Sequence, residues 1–379
     1  MRWRGALLGL TQILSWGGSF FLLAVIGGPV ARDTGWALQA VYGGLSIGIF
    51  ISGLLAPRVG LLIQKTGGRR MLCASGLVIA FGLLILAVSP HVLVFCLGWV
   101  VIGIGMAAGL YDALFAAVGQ AYPGRARSAI TSITLVSGFC TTLVWPVLGI
   151  LVDEVGWRYS CAIYAAILVA TIWPLYARSL PAALVAAPAS RPAGRKASSL
   201  DPATYRLVSL VFTLAAVLMT AISLQLLSLL QVSGYSLAAA LGLSTLLGPA
   251  QVVSRIVDLA AGKRHPAWTT LISNGLVAVG LLAIAVVPAL AAVGIVCYGA
   301  GNGLRAIVRG TLPLSLVPSD EYAHLMGRLA RPALLGQAIT PVATGFVMEH
   351  WGSQATMWLL CLLAVVNVLL TVRLLKLAR

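Results

Sequence analysis

The amino-acid sequence predicts an all-α membrane protein: twelve transmembrane helices in two six-helix bundles, with both termini cytoplasmic. Three observations lead there. Hydrophobic residues make up 60% of the chain and charged residues only 9%, with a mean hydropathy of +1.01, whereas a water-facing surface needs roughly 25% charged residues. The apolar residues fall into runs of the ~20 residues that cross ~30 Å of hydrocarbon. The basic residues cluster in alternate connections, because Lys and Arg resist translocation.

Cuts at charge clusters and Pro/Gly breaks place the spans near 5–30, 37–57, 71–89, 92–117, 129–152, 159–177, 207–230, 237–258, 267–287, 289–308, 330–349 and 353–375. Little more than Ser89-Pro90-His91 separates the third from the fourth, and Pro288 the ninth from the tenth. The first apolar run, about 24 residues, flows into the multi-spanning pattern and is expected to direct insertion itself, without a cleavable signal.

With both termini inside, the cytoplasmic loops hold Arg2 and Arg4; Arg58, Lys65, Arg69 and Arg70; Arg125 and Arg127; the run from Arg178 to Arg206; Arg255, Lys263 and Arg264; Arg305, Arg309, Arg328 and Arg331; and Arg373, Lys376 and Arg379. Arg32 and Arg158 remain outside, where Asp33, Asp153, Glu154 and Glu349 also lie. Residues 178–206, rich in Ala, Pro and Ser and without helical periodicity, read as a cytoplasmic linker. The expected organisation is an N-terminal bundle over 1–177 and a C-terminal bundle over 207–379, two parallel repeats.

A formal net charge of +16, from 25 Lys and Arg against 9 Asp and Glu, is no nucleic-acid footprint. The charges sit between apolar runs and form no basic face interleaved with stacking aromatics. The six cysteines, Cys73, Cys96, Cys140, Cys161, Cys297 and Cys361, lie inside apolar runs without metal or redox spacing and read as free thiols. The sequence has no Gly-x-x-x-x-Gly-Lys-Ser/Thr loop to hold ATP. Nor do its spans carry His-Glu-x-x-His, paired Asp or Ser-His arrangements, and its four histidines fall at loop ends, so an enzyme is not expected.

The loop after the second span reads Gly60-Leu-Leu-Ile-Gln64-Lys65-Thr66-Gly67-Gly68-Arg69-Arg70. It resembles the signature of the major facilitator superfamily of transporters, Gly-x-x-x-Asp-Arg/Lys-x-Gly-Arg/Lys-Arg/Lys, with Gln64 where Asp is usual. The second-half loop, Asp258-Leu-Ala-Ala-Gly262-Lys263-Arg264, keeps the acid, and an offset of 194 places Arg69 and Arg70 on Lys263 and Arg264. The resemblance implies a latch and topology determinant made of Gly60, Lys65, Gly67, Arg69, Arg70 and Asp258, with Asp112, near the inner end of the fourth span, as the anion for Lys65 or Arg69. A direct substrate or proton role is the alternative.

Two departures narrow the class. Where proton-driven members carry Arg-x-x-Gln-Gly-x-Gly in the fourth span, this chain has Trp99-Val-Val-Ile102-Gly103-Ile-Gly105. Where drug/proton antiporters carry Gly-x-x-x-Gly-Pro-x-x-Gly-Gly in the fifth, it has Thr142-Leu-Val-Trp145-Pro146-Val-Leu-Gly149-Ile150. The run Gln251-Val-Val-Ser-Arg255 resembles the Asp-x-x-x-Arg turn of the monocarboxylate transporter and oxalate/formate antiporter branch, with Gln251 at the acidic place.

An intramembrane charge costs at least ~2.5–3.5 kcal/mol, so it should face protein or a watery cavity. Arg255 can grip a carboxylate through its planar fork; snorkelling, or a pair with Asp258 one turn on, is the other reading. In the tenth span Asn302, Arg305 and Arg309 share one helical face. Arg305 either lines a cavity or belongs to a helix that Gly299, Gly301 and Gly303 let pack closely. Uncharged candidates for substrate contact are Gln12, Trp16, Tyr42, Trp145 and Gln337; a buried amide must find partners or water, while a lone Trp or Tyr can equally be packing or an interfacial belt.

The expectation is a monomeric secondary transporter in the inner (cytoplasmic) membrane, with no cofactor or metal. It would move a small organic anion such as a monocarboxylate by alternating access, driven by a proton or an exchanged solute. An exporter of drugs or other apolar or cationic compounds, and a non-transporting receptor, are the competing readings. The orientation is checked by labelling: a membrane-impermeant thiol reagent on intact cells should miss Ser198→Cys and reach Ser353→Cys, and the opposite pattern would reverse the topology.

Overall fold

The computed structural model describes residues 2–181, 200–232, 234–262 and 264–377; most of the expected linker, Lys263 and Arg379 lie outside the described residues. The regular structure described is all helical: α1 (Arg2–Gly17), α2 (Leu23–Thr34), α3 (Leu38–Thr66), α4 (Arg69–Ala87), α5 (Val92–Gly109), α6 (Tyr111–Ala121), α7 (Ala126–Ser137), α8 (Cys140–Ser179), α9 (Pro202–Val232), α10 (Leu237–Ser244), α11 (Leu247–Ala260), α12 (Pro266–Val286), α13 (Ala291–Leu314) and α14 (Ser319–Leu377). Among the described residues, nine helical stretches are long and apolar enough to cross a membrane.

Two of the nine are too long for one crossing. Ser319–Leu377 has 59 residues, roughly 88 Å at 1.5 Å per residue, nearly three hydrocarbon thicknesses. Both long stretches are interrupted by a glycine in the left-handed region, Gly156 (φ 77°, ψ 164°) in α8 and Gly352 (φ 80°, ψ 171°) in α14. A side chain there would be strained, so each glycine lets one helix end and the next begin without an intervening loop.

The helices also differ from the expected spans. The second span was expected to end near residue 57, but α3 runs past Arg58 to Thr66; beyond the hydrocarbon, Leu, Ile, Gln and Lys continue a helix readily. Four expected spans are divided instead: the first between Gly17 and Leu23, the fourth at Leu110, the fifth near Gly138, and the eighth at Thr245–Leu246.

The chain forms two compact units, Met1–Arg195 with Pro318–Ala338, and Lys196–Val317 with Ile339–Arg379. Each is organised around one glycine-rich helix. In the first, α5 packs so closely that a Cβ on Gly103 would lie 2.4 Å from the Gly48 carbonyl oxygen of α3, and one on Gly98 would lie 3.1 Å from the Gly82 oxygen of α4. In the second, a Cβ on Gly294 of α13 would lie 2.7 Å from the Gly280 oxygen of α12, and one on Gly301 would lie 2.5 Å from the Ser273 oxygen. Gly98, Gly103, Gly105 and Gly156 recur at an offset of 196 as Gly294, Gly299, Gly301 and Gly352. The repeat is therefore carried by contact-making and helix-breaking glycines. Around α13 the second unit's core closes with Leu226, Leu229, Leu281, Ile295 and Leu360; in the first, the fully buried Trp99 ring lies against Gly44 and Gly48.

These seams predict opposite outcomes for two substitutions. Gly103→Val overpacks α5 against α3 backbone and should destabilise by about 1–3 kcal/mol or more. Gly149→Ala, with no atom within 4 Å of its new Cβ, should be neutral or gain a few tenths of a kcal/mol from helix propensity. Thermal melting of detergent-purified protein separates them; a Gly103→Val protein that melts with wild type would remove the seam from the fold's determinants.

Candidate functional site

The first unit's candidate site grows out of broken helices. Backbone released from a helix at membrane depth needs partners in the protein or in a watery cavity, because lipid supplies none. At Leu110 the chain is extended (φ −81°, ψ −174°) between α5 and α6, leaving the Gly109 carbonyl outside the helical ladder. Gln12, fully buried, donates to it through Nε2 at 2.8 Å, and the Tyr176 hydroxyl reaches it at 3.3 Å. Gln12 Nε2 also lies 3.0 Å from the Tyr176 hydroxyl, and its Oε1 accepts from Trp16 Nε1 at 3.0 Å. At the division between α1 and α2, the Tyr164 hydroxyl donates to the Leu14 oxygen at 3.0 Å and Trp145 Nε1 to the Phe21 oxygen at 3.3 Å.

Aromatic rings gather where these breaks meet. Trp16 has Phe20, Phe21 and Tyr111 at centroid distances of 5.3, 5.7 and 5.1 Å. Tyr111 stacks on Phe115 at 5.0 Å, and Trp145 meets Phe21 edge-on at 6.1 Å. The Tyr111 hydroxyl bonds Ser137 Oγ at 2.5 Å, next to the division between α7 and α8. Gln12, Trp16 and Trp145 are thus brought together, while Tyr42 lies over Gly27 of α2 and Gln337 is buried in α14. Tyr111, Phe20, Phe21, Phe115, Tyr164 and Tyr176 were not among the expected site residues; an aromatic in an apolar run carries no mark of function until its neighbours are known.

In the second unit, α11 and α13 meet at Gly303, where a Cβ would lie 2.5 Å from the Gln251 oxygen and 2.3 Å from Ser254 Oγ. That approach lets Arg255, only 5% exposed, donate from Nε to the Gly303 oxygen at 3.1 Å, which fixes the guanidinium plane. Gln251, Arg255 and Asn302 therefore border one seam. On the same α13 turn Asn302 Oδ1 accepts from Arg305 Nε at 2.9 Å, while Arg305 Nη2 lies 2.9 Å from Met219 Sδ of α9. Asp258 Oδ1 is 3.5 Å from Thr269 Oγ1 on α12.

The latch residues take definite places in the first unit. Gly60 abuts the start of α14, where its Cβ would lie 2.5 Å from the Ala323 oxygen and 3.0 Å from Gly327 Cα. Gln64 Nε2 donates to the Asp320 carbonyl at 2.6 Å, and Gln120 Nε2 to the Gln64 carbonyl at 2.9 Å. Gly67 turns the chain (φ 79°), Arg69 is half-buried, and Lys65 and Arg70 are exposed. Asp112 lies just after the break that ends α5. Its helix is divided at Leu110 and runs on to Ala121, which leaves Asp112 in the first turn of α6.

A further cluster engages Arg158, one of the two arginines expected outside. Asp33, in the last turn of α2, is ion-paired with Arg158 and accepts from Trp157 Nε1 at 3.0 Å, while Arg158 also reaches the Ser89 carbonyl at 3.3 Å and lies over the Trp157 ring. The Trp157 N–H first, and then Arg158, hold the Asp33 carboxyl below its usual range.

The chain matches the profile of the Major Facilitator Superfamily over residues 8–330. No curated protein matches its sequence at a significant level. Solved structures of similar fold include the human organic anion transporter MFSD10 (TETRAN), 17% identical over 98% of both chains with a TM-score of 0.71. A second is the Major Facilitator Superfamily transporter FucP in the outward conformation, 14% identical over 98% of both chains, TM-score 0.73. A third is a bacterial homologue of the iron transporter ferroportin in an outward-facing state, 11% identical over 98% of this chain and 99% of that one, TM-score 0.77. At these identities the likeness is one of fold.

The Gln64 contact makes the departure from the superfamily signature testable. The first turn of α14 already carries Asp320 and Glu321, which suit a helix N-terminus, and Gln64 donates to a carbonyl there. Gln64→Asp would exchange that donor for a third acid. It should lower the melting temperature more than Gln64→Ala, whose loss of one hydrogen bond costs about 0.5–1.5 kcal/mol. A Gln64→Asp protein at least as stable as wild type would overturn this.

Proposed function

The chain belongs to the major facilitator superfamily, and from that premise we propose that it is a secondary transporter moving a small organic anion of monocarboxylate type by alternating access. It would cross the cytoplasmic membrane twelve times with both termini inside. Support for twelve comes from the two long stretches divided at Gly156 and Gly352 and from α1 and α2, of 16 and 12 residues, which are each too short alone but serve together as one crossing. The halves of the repeat are 1–177 and 207–379, joined by the 178–206 linker. A proton or a counter-moving solute would supply the energy, and the protein would act as a monomer.

The observation that carries the anion is Arg255. A guanidinium almost fully removed from solvent is costly to keep, and its Nε bond to Gly303 sets the orientation of the planar fork that a carboxylate matches with two parallel bonds. Arg305, half-buried on α13, adds a second cation in the same unit, with Gln251 and Asn302 as neutral donors beside them. A second reading, export of apolar or cationic compounds, draws on the rings around Trp16, since aromatic faces attract cations.

A thermal-shift screen of carboxylates on purified protein would supply a ligand, because binding to the folded state raises stability by mass action. Its dissociation constant for wild type, Arg255→Lys, Arg255→Ala and Gln251→Ala then tests the reading. A charge-assisted hydrogen bond is worth ~1.5–3 kcal/mol, so both Arg255 variants should bind roughly ten- to a hundredfold more weakly, the Lys variant included, because it loses the fork. Gln251→Ala should lose less. Near-equal affinities for wild type and both Arg255 variants would take Arg255, and the anion with it, out of the proposal.

A further inference from the structure

We propose that the end of the α3–α4 hairpin that carries Arg58 and Lys65 is a docking surface for an anionic phospholipid, its headgroup held by those two cations and its acyl chains lying along α3. The proposal rests on the membrane-spanning architecture and is independent of which solute the protein moves.

α3 has two unlike sides. Gly44, Gly48, Ala56, Gly60 and Ile63 are buried on one of them; Gly44 and Gly48 lie against the Trp99 ring and Gly60 against the Ala323 carbonyl, so α5 and the start of α14 both pack there. Phe50, Leu54, Arg58, Leu61 and Lys65 follow one another at three- and four-residue steps on the opposite side, and all five are exposed. An apolar stripe that runs along a spanning helix opposite both of its packing partners is the side suited to acyl chains. The 29 residues of α3 reach roughly 43 Å at 1.5 Å per residue, which matches the ~40–45 Å of a bilayer with its headgroups. Lys65, next to the last residue, therefore stands at headgroup level. Arg58, two turns earlier, reaches the same level by extending its long side chain past Leu61 and Leu62, as lipid-facing arginines do.

Charge names the occupant. The hairpin from Leu38 to Ala87 carries four cations, Arg58, Lys65, Arg69 and Arg70, and no Asp or Glu. Acids do stand close by on α14, but Gln64 and Gly60 meet that helix, through the Asp320 carbonyl and Ala323, while Arg58 and Lys65 turn away from it. Among the described residues no ion pair engages Arg58, Lys65 or Arg70. The cations are separated along the helix by about 10 Å, so one headgroup between them is within reach of both side chains. A phosphate there balances charge that the protein leaves unbalanced, and the exposed Leu61 and Leu62 beside it meet the upper part of an acyl chain rather than water. Each basic residue at an anionic membrane surface contributes about fivefold in affinity.

The test is native mass spectrometry of the full-length purified protein titrated with phosphatidylglycerol or with phosphatidylcholine of the same acyl chains. Wild type should retain phosphatidylglycerol at least about tenfold more tightly than phosphatidylcholine. Removing both cations in Arg58→Gln/Lys65→Gln should weaken phosphatidylglycerol roughly ten- to thirtyfold, at about fivefold per charge, and leave phosphatidylcholine unchanged. Arg373→Gln/Lys376→Gln removes two exposed cations from the end of α14, the same change in net charge, and should alter phosphatidylglycerol binding by less than about twofold. Equal retention of the two lipids by wild type would overturn the proposal, and that comparison needs no variant, so misfolding cannot mask it. Equal losses in the two double variants would reduce the effect to general charge attraction and overturn the site. Dimers of the chain in place of lipid adducts, lost in Arg58→Gln/Lys65→Gln, would assign the face to a second copy and overturn it as well.

Discussion

A backbone amide or carbonyl in hydrocarbon has no water to turn to, and this structure depends on that constraint throughout. It makes every described element a helix, and it dictates what happens wherever a helix is broken. The Gly109 carbonyl, freed at Leu110, is met by Gln12 and Tyr176 from other helices, and the Phe21 carbonyl, between α1 and α2, is met by Trp145. Each bond is modest, but leaving a buried acceptor unmet costs more than the bond itself contributes. Polar residues of the first unit thus meet the breaks, and Trp16 and Trp145 are held by hydrogen bonds beside them.

Much of the fold was legible in the sequence because hydrophobic length and charge position are local properties. All-helical, multi-spanning architecture and superfamily membership could be read from runs of apolar residues and from the Gly60–Arg70 loop. The breaks could not be read that way. Whether the helix can end at Gly109 depends on Gln12, 97 residues away, and no window of sequence contains both. The same non-locality bears on Asp112: its place in the first turn of α6 depends on the break at Leu110, which no local pattern announces.

The candidate site was legible in part. Arg255 stands out because a charge within an apolar run demands an explanation, and Gln12 and Gln337 stand out for the same reason in milder form. The residues that give Arg255 its orientation do not: Gly303 matters through the atoms it lacks, letting α11 approach α13. The glycine repeat at 196, with 98, 103 and 105 against 294, 299 and 301, was not read from the sequence, where the basic loops suggested 194; those glycines acquire meaning only when a Cβ at each is seen to strike a neighbouring helix. Around that shared skeleton the two units have diverged, one toward aromatic surface and one toward buried cations.

The Asp33–Arg158 pair bears on how the protein is made. It joins the end of α2 to the helix beginning after Gly156, across 125 residues of chain. During synthesis Asp33 leaves the ribosome long before its partner exists, and domains tend to fold as units from the N-terminal side. The contact therefore cannot be fastened until α3 to α7 and the first part of α8 have been laid down between its two ends. It is a clasp closed late in the building of the first half, before most of the second half has been translated.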